Sequence, residues 1–208
     1  MSRPNPLARA QFLLAAQHLS QLPKGSLAEV AIAGRSNAGK STALNALAGH
    51  TGLARVSKTP GRTQQLVYFE LGGGRFLVDL PGYGYARVPE AVLTHWREVV
   101  DGYFRVREPL RGLVVVMDIR HPLRDTDLAM LGFAEARGLP AHVLLSKADK
   151  LGRGQQAATV ATVRKALAER FVQPMGVQAF SGPGRIGVDE ARAVIEAWLE
   201  LGRAAESA

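Results

Sequence analysis

Gly34-Arg35-Ser36-Asn37-Ala38-Gly39-Lys40-Ser41 decides how the rest of the chain is read. Two glycines with four residues between them, followed by Lys and Ser, form the pattern of a phosphate-binding loop. The reason is geometric. Glycine lets the backbone curl so that successive N–H groups point inward at phosphate oxygens. A helix that starts at Lys40 adds the partial positive charge of its N-terminus. Lys40 is then expected to reach the β- and γ-phosphates of a nucleotide, and the Ser41 hydroxyl to ligate Mg²⁺. Gly34, Arg35, Ser36, Asn37, Ala38, Gly39, Lys40, Ser41 and Thr42 make up the expected phosphate-side contacts. The flanks agree: an apolar run, Val30-Ala31-Ile32-Ala33, precedes the loop, and a helical pattern through Ala43-Leu44-Asn45-Ala46-Leu47 follows it.

Outward from this loop the chain alternates short apolar runs with helical patterns. Val67–Leu71 and Phe76–Leu80 read as strands joined by Gly72-Gly73-Gly74, a hairpin signal. Pro89 opens a helix with Val92, Trp96, Val99, Val100 and Tyr103 on one face. Leu113–Met117, His142–Leu145 and Val177–Phe180 read as further strands, with helices near 125–137, at 157–171, and finally around Ala191, Val194, Ile195, Trp198 and Leu199. This alternation predicts an α/β fold, a mostly parallel six-stranded sheet with one antiparallel strand and helices on both faces. The domain is expected over 28–203, with a tail at 204–208. Residues 1–27 read as an extension, in which Phe12, Leu13, Ala16 and Leu19 predict a short amphipathic helix ending before Pro23.

Three further segments carry chemistry. Asp79-Leu80-Pro81-Gly82 ends the strand 76–80, where the carboxylate is placed to hold a metal and the Gly82 N–H to contact a γ-phosphate. Ser146-Lys147-Ala148-Asp149 follows the strand 142–145. There the Asp149 carboxylate accepts from guanine N1–H and the 2-amino group, while the Lys147 stem lies along the purine. Adenine would leave that carboxylate unpaired, and such a site can discriminate by as much as about 10⁴–10⁵. Ser181-Gly182 follows the last strand, where a backbone N–H from Gly182 or a neighbour would reach guanine O6. The long basic loop Ser57-Lys58-Thr59-Pro60-Gly61-Arg62-Thr63-Gln64 lies between the phosphate loop and Asp79, where a γ-phosphate sensor belongs. Gly61 and Thr63 are the expected nucleotide contacts. Thr63 is the choice for the second hydroxyl on Mg²⁺, with Thr59 as the runner-up. The metal set is therefore Ser41, Thr63 and Asp79, and the catalytic set Lys40, Thr63 and Gly82.

Composition bounds the rest. Among 208 residues there is no cysteine, so no disulfide, thiolate metal site or cysteine nucleophile exists. No apolar run approaches the roughly 18–20 residues of a membrane span, and the chain reads as cytoplasmic. Lys and Arg number 26 against 18 acidic residues, a net charge of +8 that points to an anionic partner, nucleic acid first. The five histidines show no metal spacing. His142 reads as packed or capped, and Trp96 and Trp198 as structural.

These elements, in this order and spacing, resemble the translation-factor-related class of P-loop GTPases. The strings Gly34–Ser41, Ser57–Gln64 and Asp79-Leu80-Pro81-Gly82-Tyr83-Gly84-Tyr85-Ala86 are similar to those of the EngB family, also called YihA or YsxC. The resemblance runs from about Phe12 to Leu201. It implies a Ras-like domain that binds and hydrolyses GTP with Mg²⁺, acting in assembly of the large ribosomal subunit and in normal cell division. Two positions depart from wider patterns. Ser146 stands where Asn or Thr is usual, but keeps a hydroxyl to tie its loop to the phosphate loop. Tyr83 stands where Ras-like proteins carry a water-orienting Gln, so slow intrinsic turnover is expected. Asn37 matches a K⁺ ligand of related potassium-stimulated GTPases. Arg55, Lys58, Arg62, Arg87, Arg97, Arg105, Arg107, Arg111, Arg120, His121 and Arg124 are candidates for ribosomal RNA contact by a monomer. A nucleotide-gated binding module with negligible turnover is the alternative.

Overall fold

The computed structural model describes residues 4–54, 65–84 and 90–201, without the side chains of 90–93, 95 and 96. In chain order the elements are β1 (Gln11–Ala16), β2 (Ala28–Gly34), α1 (Lys40–Ala48), β3 (Leu66–Gly72), β4 (Arg75–Asp79), α2 (Glu90–Val106), β5 (Leu110–Asp118), α3 (Asp125–Ala136), β6 (Ala141–Ser146), α4 (Arg153–Arg170), β7 (Gly176–Ala179) and α5 (Val188–Trp198). Every residue of β2 is buried, as expected of a strand covered on both faces. The sheet order is β1-β3-β4-β2-β5-β6-β7. Pairing is parallel from β4 through β7 and antiparallel at β1–β3 and β3–β4, so β3 alone runs against the others.

The sheet therefore has seven strands rather than six. The added strand is β1, where the sequence predicts a helix. Phe12, Leu13, Ala16 and Leu19 fit helical spacing, but Leu14 and Ala16 are the residues that turn inward, two apart, while Phe12 and Leu13 are exposed. Over six residues the two periods cannot be told apart from sequence. The decision is made by β3, whose outer row of backbone N–H and C=O groups is satisfied by β1. Leu19 falls instead in a 3₁₀ turn, Leu19–Gln21.

Helices cover both faces. Tyr103 and Phe104 of α2, Met130 and Leu131 of α3, and Val163 and Leu167 of α4 pack on one side. Leu44 and Leu47 of α1 and Ile195 of α5 pack on the other, joined by Leu7 from the N-terminal segment. A Cβ on Gly112 of β5 would come within 2.3 Å of the Trp198 ring, so glycine makes room for that indole. His142 is buried in β6 and shares a 2.7 Å hydrogen bond with Gln178 of β7. Burial holds its imidazole below the usual histidine range.

Among the described residues two carboxylates, Glu29 and Asp127, lie wholly inside. Glu29, the second residue of β2, has no exposed surface. The Arg107 Nε donates to its two oxygens at 2.9 and 3.1 Å, and the hydroxyls of Tyr68 and Tyr103 donate at 3.2 and 3.0 Å. Arg107 Nη2 also donates to Ser26 Oγ at 2.7 Å and Pro23 O at 2.8 Å. Burial and the neighbouring carboxylate push both phenols well above the usual tyrosine range. A buried carboxylate survives only when its oxygens are paired. Replacing Arg107 by Ala is expected to cost about 3–5 kcal/mol, because it strands that charge. Urea unfolding of the variant measures this, and a midpoint like the wild type's would refute it.

Candidate nucleotide site

At the C-terminal end of β2 the chain cannot carry a side chain. A Cβ on Gly34 would stand 2.9 Å from the Val116 carbonyl oxygen of β5. The loop then curls: Ala38 N donates to Arg35 O at 3.0 Å, and Asn37 and Gly39 take φ of +62° and +98°. These left-handed turns aim the loop inward. α1 begins directly at Lys40, with no side-chain cap from Gly39 and no acidic residue in its first turn. Its leading N–H groups and dipole are thus left to an anion.

Lys40 reaches across to the end of β4. Its Nζ forms an ion pair with Asp79 Oδ1, and both side chains are largely buried. Burial raises the Asp79 pKa, while the Lys40 charge pulls it back down. The backbone after β4 is stitched to the phosphate loop, since Ser36 N donates to Tyr83 O at 2.9 Å and Arg35 bridges Tyr83 in parallel pairing. Gly82, one residue earlier, is therefore held beside the loop. Gly61 and Thr63, with the alternative Thr59, lie outside the described residues, so two of the three expected metal ligands, Ser41 and Asp79, are placed.

The segment expected to read guanine lies at the neighbouring strand ends. Ser146 ends β6, and its hydroxyl donates to Ala38 O of the phosphate loop, with the Met117 carbonyl 3.1 Å away. Lys147 Nζ donates to Asn37 O at 2.7 Å. Asp149 Oδ1 accepts from the Ser181 hydroxyl at 2.6 Å, and Oδ2 pairs with Lys150 at 3.1 Å. The Ser181 bond, then Lys150, hold the Asp149 pKa below the usual carboxylate range, which keeps it an acceptor.

Ser181 serves differently from the sequence-based expectation. Its N–H is already given to Ile186 O at 2.9 Å, so it cannot also address a base; its hydroxyl positions Asp149 instead. Gly182 lies against α1, where a Cβ would meet Ala46 Cβ at 3.0 Å and Thr42 O at 3.2 Å. Thr42, in the first turn of α1, is exposed.

A family model described as "50S ribosome-binding GTPase" matches residues 29–147. The probable GTP-binding protein EngB of Xanthomonas euvesicatoria is 61% identical over 195 residues, 94% of each chain. That of Xylella fastidiosa is 58% identical over 201 residues, 97% of this chain and 99% of the relative. The chain belongs to the EngB family of GTP-binding proteins. The fold agrees. A crystal structure of a probable GTP-binding protein engB superposes with a TM-score of 0.65 at 23% identity, covering 83% of this chain and 99% of that one. A tyrosine variant of Era from Aquifex aeolicus bound to GDP·AlF4⁻ gives 0.65 at 22% identity, covering 82% of this chain and 56% of that one.

In this EngB-family chain Tyr83 is buried. Its hydroxyl donates to Asp127 Oδ1 at 3.0 Å, and Asp127 Oδ2 lies 3.5 Å from Arg35 Nε. The phenol is thus turned into the start of α3, and burial raises its pKa well above the usual range. Of the basic residues read as RNA contacts, Arg107 is committed to the interior, while Arg105 and Arg120 are exposed and pair with acidic neighbours. Arg107 belongs to Glu29, Arg105 pairs with Asp101, and Arg120 pairs with Asp118. Arg55, Lys58, Arg62 and Arg87 fall outside the described residues. Among the described residues no cluster of three or more His, Asp or Glu forms a metal site, and no helix is long and apolar enough to cross a membrane.

Asp127 and its links to Arg35 and Tyr83 have no signature in the sequence, because their partners lie 44 or more residues away. Tyr83→Phe is expected to lower stability by about 1–2 kcal/mol, the cost of leaving a buried acceptor short of a donor. Chemical denaturation checks this; an unchanged unfolding free energy would mean that the hydroxyl is not engaged.

Proposed function

We propose that this protein is a GTP-hydrolysing switch in the assembly of the large ribosomal subunit, needed for normal cell division and septation, and working in the cytoplasm as a monomer. The observation that carries the reading is the convergence of Lys40, Asp79, the curled loop and Asp149 at adjacent strand ends. That is the topological position where ligands bind in open α/β sheets. The description of the matching family supplies the ribosome.

Asp79 fits a divalent cation. It is a largely buried carboxylate beside the start of α1, and its bond to a mobile lysine can be exchanged. Ser41, Asp79 and Thr63 would hold Mg²⁺, whose charge offsets that of the β- and γ-phosphates. Lys40 and the loop amides stabilise the charge that develops as water attacks the γ-phosphate in line, and the Gly82 N–H meets that phosphate. Tyr83, committed to Asp127, orients no water, which favours slow intrinsic turnover. Asn37 would add a K⁺ site. Hydrolysis is expected to be faster in KCl than in NaCl at equal ionic strength, and equal rates would remove the potassium proposal.

RNA contact would use the exposed Arg97, Arg111, His121 and Arg124 with the basic residues of the sensor loop. Such contact weakens steeply with salt. The deciding experiment pairs calorimetry with ribosome pelleting. GDP is expected to bind more than about 10³-fold tighter than ADP. Ribosomal particles are expected to retain the protein with a non-hydrolysable GTP analogue and to release it with GDP. Equal uptake of ADP, or retention indifferent to nucleotide, would overturn the proposal. The competing reading, a nucleotide-gated module without turnover, is favoured if large subunits leave the GTPase rate at zero.

A further inference from the structure

We propose that Asp118, the last residue of β5, is a positioning residue for nucleotide binding: it holds the Lys147 side chain in the place from which that side chain lies along the purine. The inference rests on the guanine-nucleotide reading above and extends it to a residue outside every sequence motif.

The geometry is as follows. β5 and β6 run parallel in a register that sets Asp118 beside Ser146, and Ile119 N donates to Ser146 O at 3.0 Å. Lys147 is the next residue along. Its backbone takes φ of +58°, a left-handed conformation that is costly for a residue with a Cβ and persists only where the surroundings enforce it. Its four-carbon stem has many rotamers, so it needs fixed points. Two are present: Asn37 O, which accepts from Nζ at 2.7 Å, and Asp118 Oδ2, 3.0 Å from the same Nζ. The first ties Lys147 to the phosphate loop; the second ties it to the sheet.

Asp118 is itself held. Arg120 donates to Oδ1 through its backbone N at 3.0 Å and its Nε at 2.9 Å, and to Oδ2 through Nη2 at 2.7 Å. This bidentate fork fixes the plane of the carboxylate. The Asp118 side chain is 9% exposed, whereas that of Arg120 is 44% exposed. Asp118 does a second thing for the site. Arg120 lies within electrostatic range of Asp149, whose oxygens the guanine needs. Asp118 pairs with Arg120, and Lys150 is the cation bonded to Asp149.

A double-mutant cycle tests this on the full-length protein, read as GDP affinity by calorimetry. Asp118→Asn and Lys147→Met are each expected to weaken GDP by about tenfold, the middle of the range for contacting charged pairs. The double variant is expected to bind no more weakly than Lys147→Met alone, because Asp118 acts through that lysine. A loss caused by general destabilisation would multiply instead. Arg120→Met changes an exposed side chain, so it carries the test should Asp118→Asn fail to fold. It is expected to weaken GDP about threefold in the wild-type background and not at all beside Lys147→Met. Multiplying losses, or wild-type affinity in both Asp118→Asn and Arg120→Met, would overturn the proposal. A wild-type protein that takes up no GDP would instead overturn the guanine reading beneath it.

Discussion

The ion pair between Lys40 and Asp79 is the interaction on which the site depends. Each charge lies near the end of a different element, α1 and β4, and each is largely withdrawn from water. Neither group is stable there alone. Burial pushes the Asp79 carboxyl toward its protonated form, and the Lys40 charge opposes that. Together they tie the start of α1, just after the phosphate loop, to the end of β4. The same pairing explains how the site can accept a highly charged ligand. In the proposed nucleotide-bound state Lys40, a point charge on a flexible stem, would turn to phosphate, and a cation held by that phosphate would take its place on Asp79.

Around that pair the architecture does the positioning. β2, β4, β5 and β6 run parallel, so their C-terminal ends lie along one edge of the sheet. Gly34, Asp79, Asp118 and Ser146 are the last residues of those strands. Each begins or anchors a loop that the next one touches. Ser146 bonds the phosphate loop, Lys147 bonds both that loop and Asp118, and Ser181 bonds Asp149. The placement of Lys147 and Asp149 is thus built from contacts between loops and not from any one of them.

Much of this was legible in the sequence because it depends on local chemistry. The glycine spacing, the apolar run before it and the helical pattern after it are all within a few residues of Lys40. The alternation of strands and helices followed for the same reason, and the hairpin was marked by its three glycines. β1 was not legible, because its six residues satisfy two periodicities and only the open edge of β3 chooses between them. The carboxylates that organise the molecule were missed for a different reason. Glu29 and Arg107 are 78 residues apart, and Tyr83 and Asp127 are 44 apart. Nothing in either neighbourhood announces the partner. Arg107 and Arg120 read as surface charge because an arginine gives no sign of being paired until the chain is folded.

The cluster around Glu29 has a mechanical meaning. Arg107 follows the last turn of α2 and is bolted to Glu29, Ser26 and Pro23, while Tyr103 fastens the preceding turn. The opposite end of α2, at Glu90, emerges from the stretch that follows Gly82 and Tyr83. A helix of this length reaches about 25 Å. Its C-terminal end is fixed to β2, and Val99, Val100 and Phe104 lie in the core. The interior carboxylate thereby ties the foot of this helix to the strand that delivers the chain into the phosphate loop.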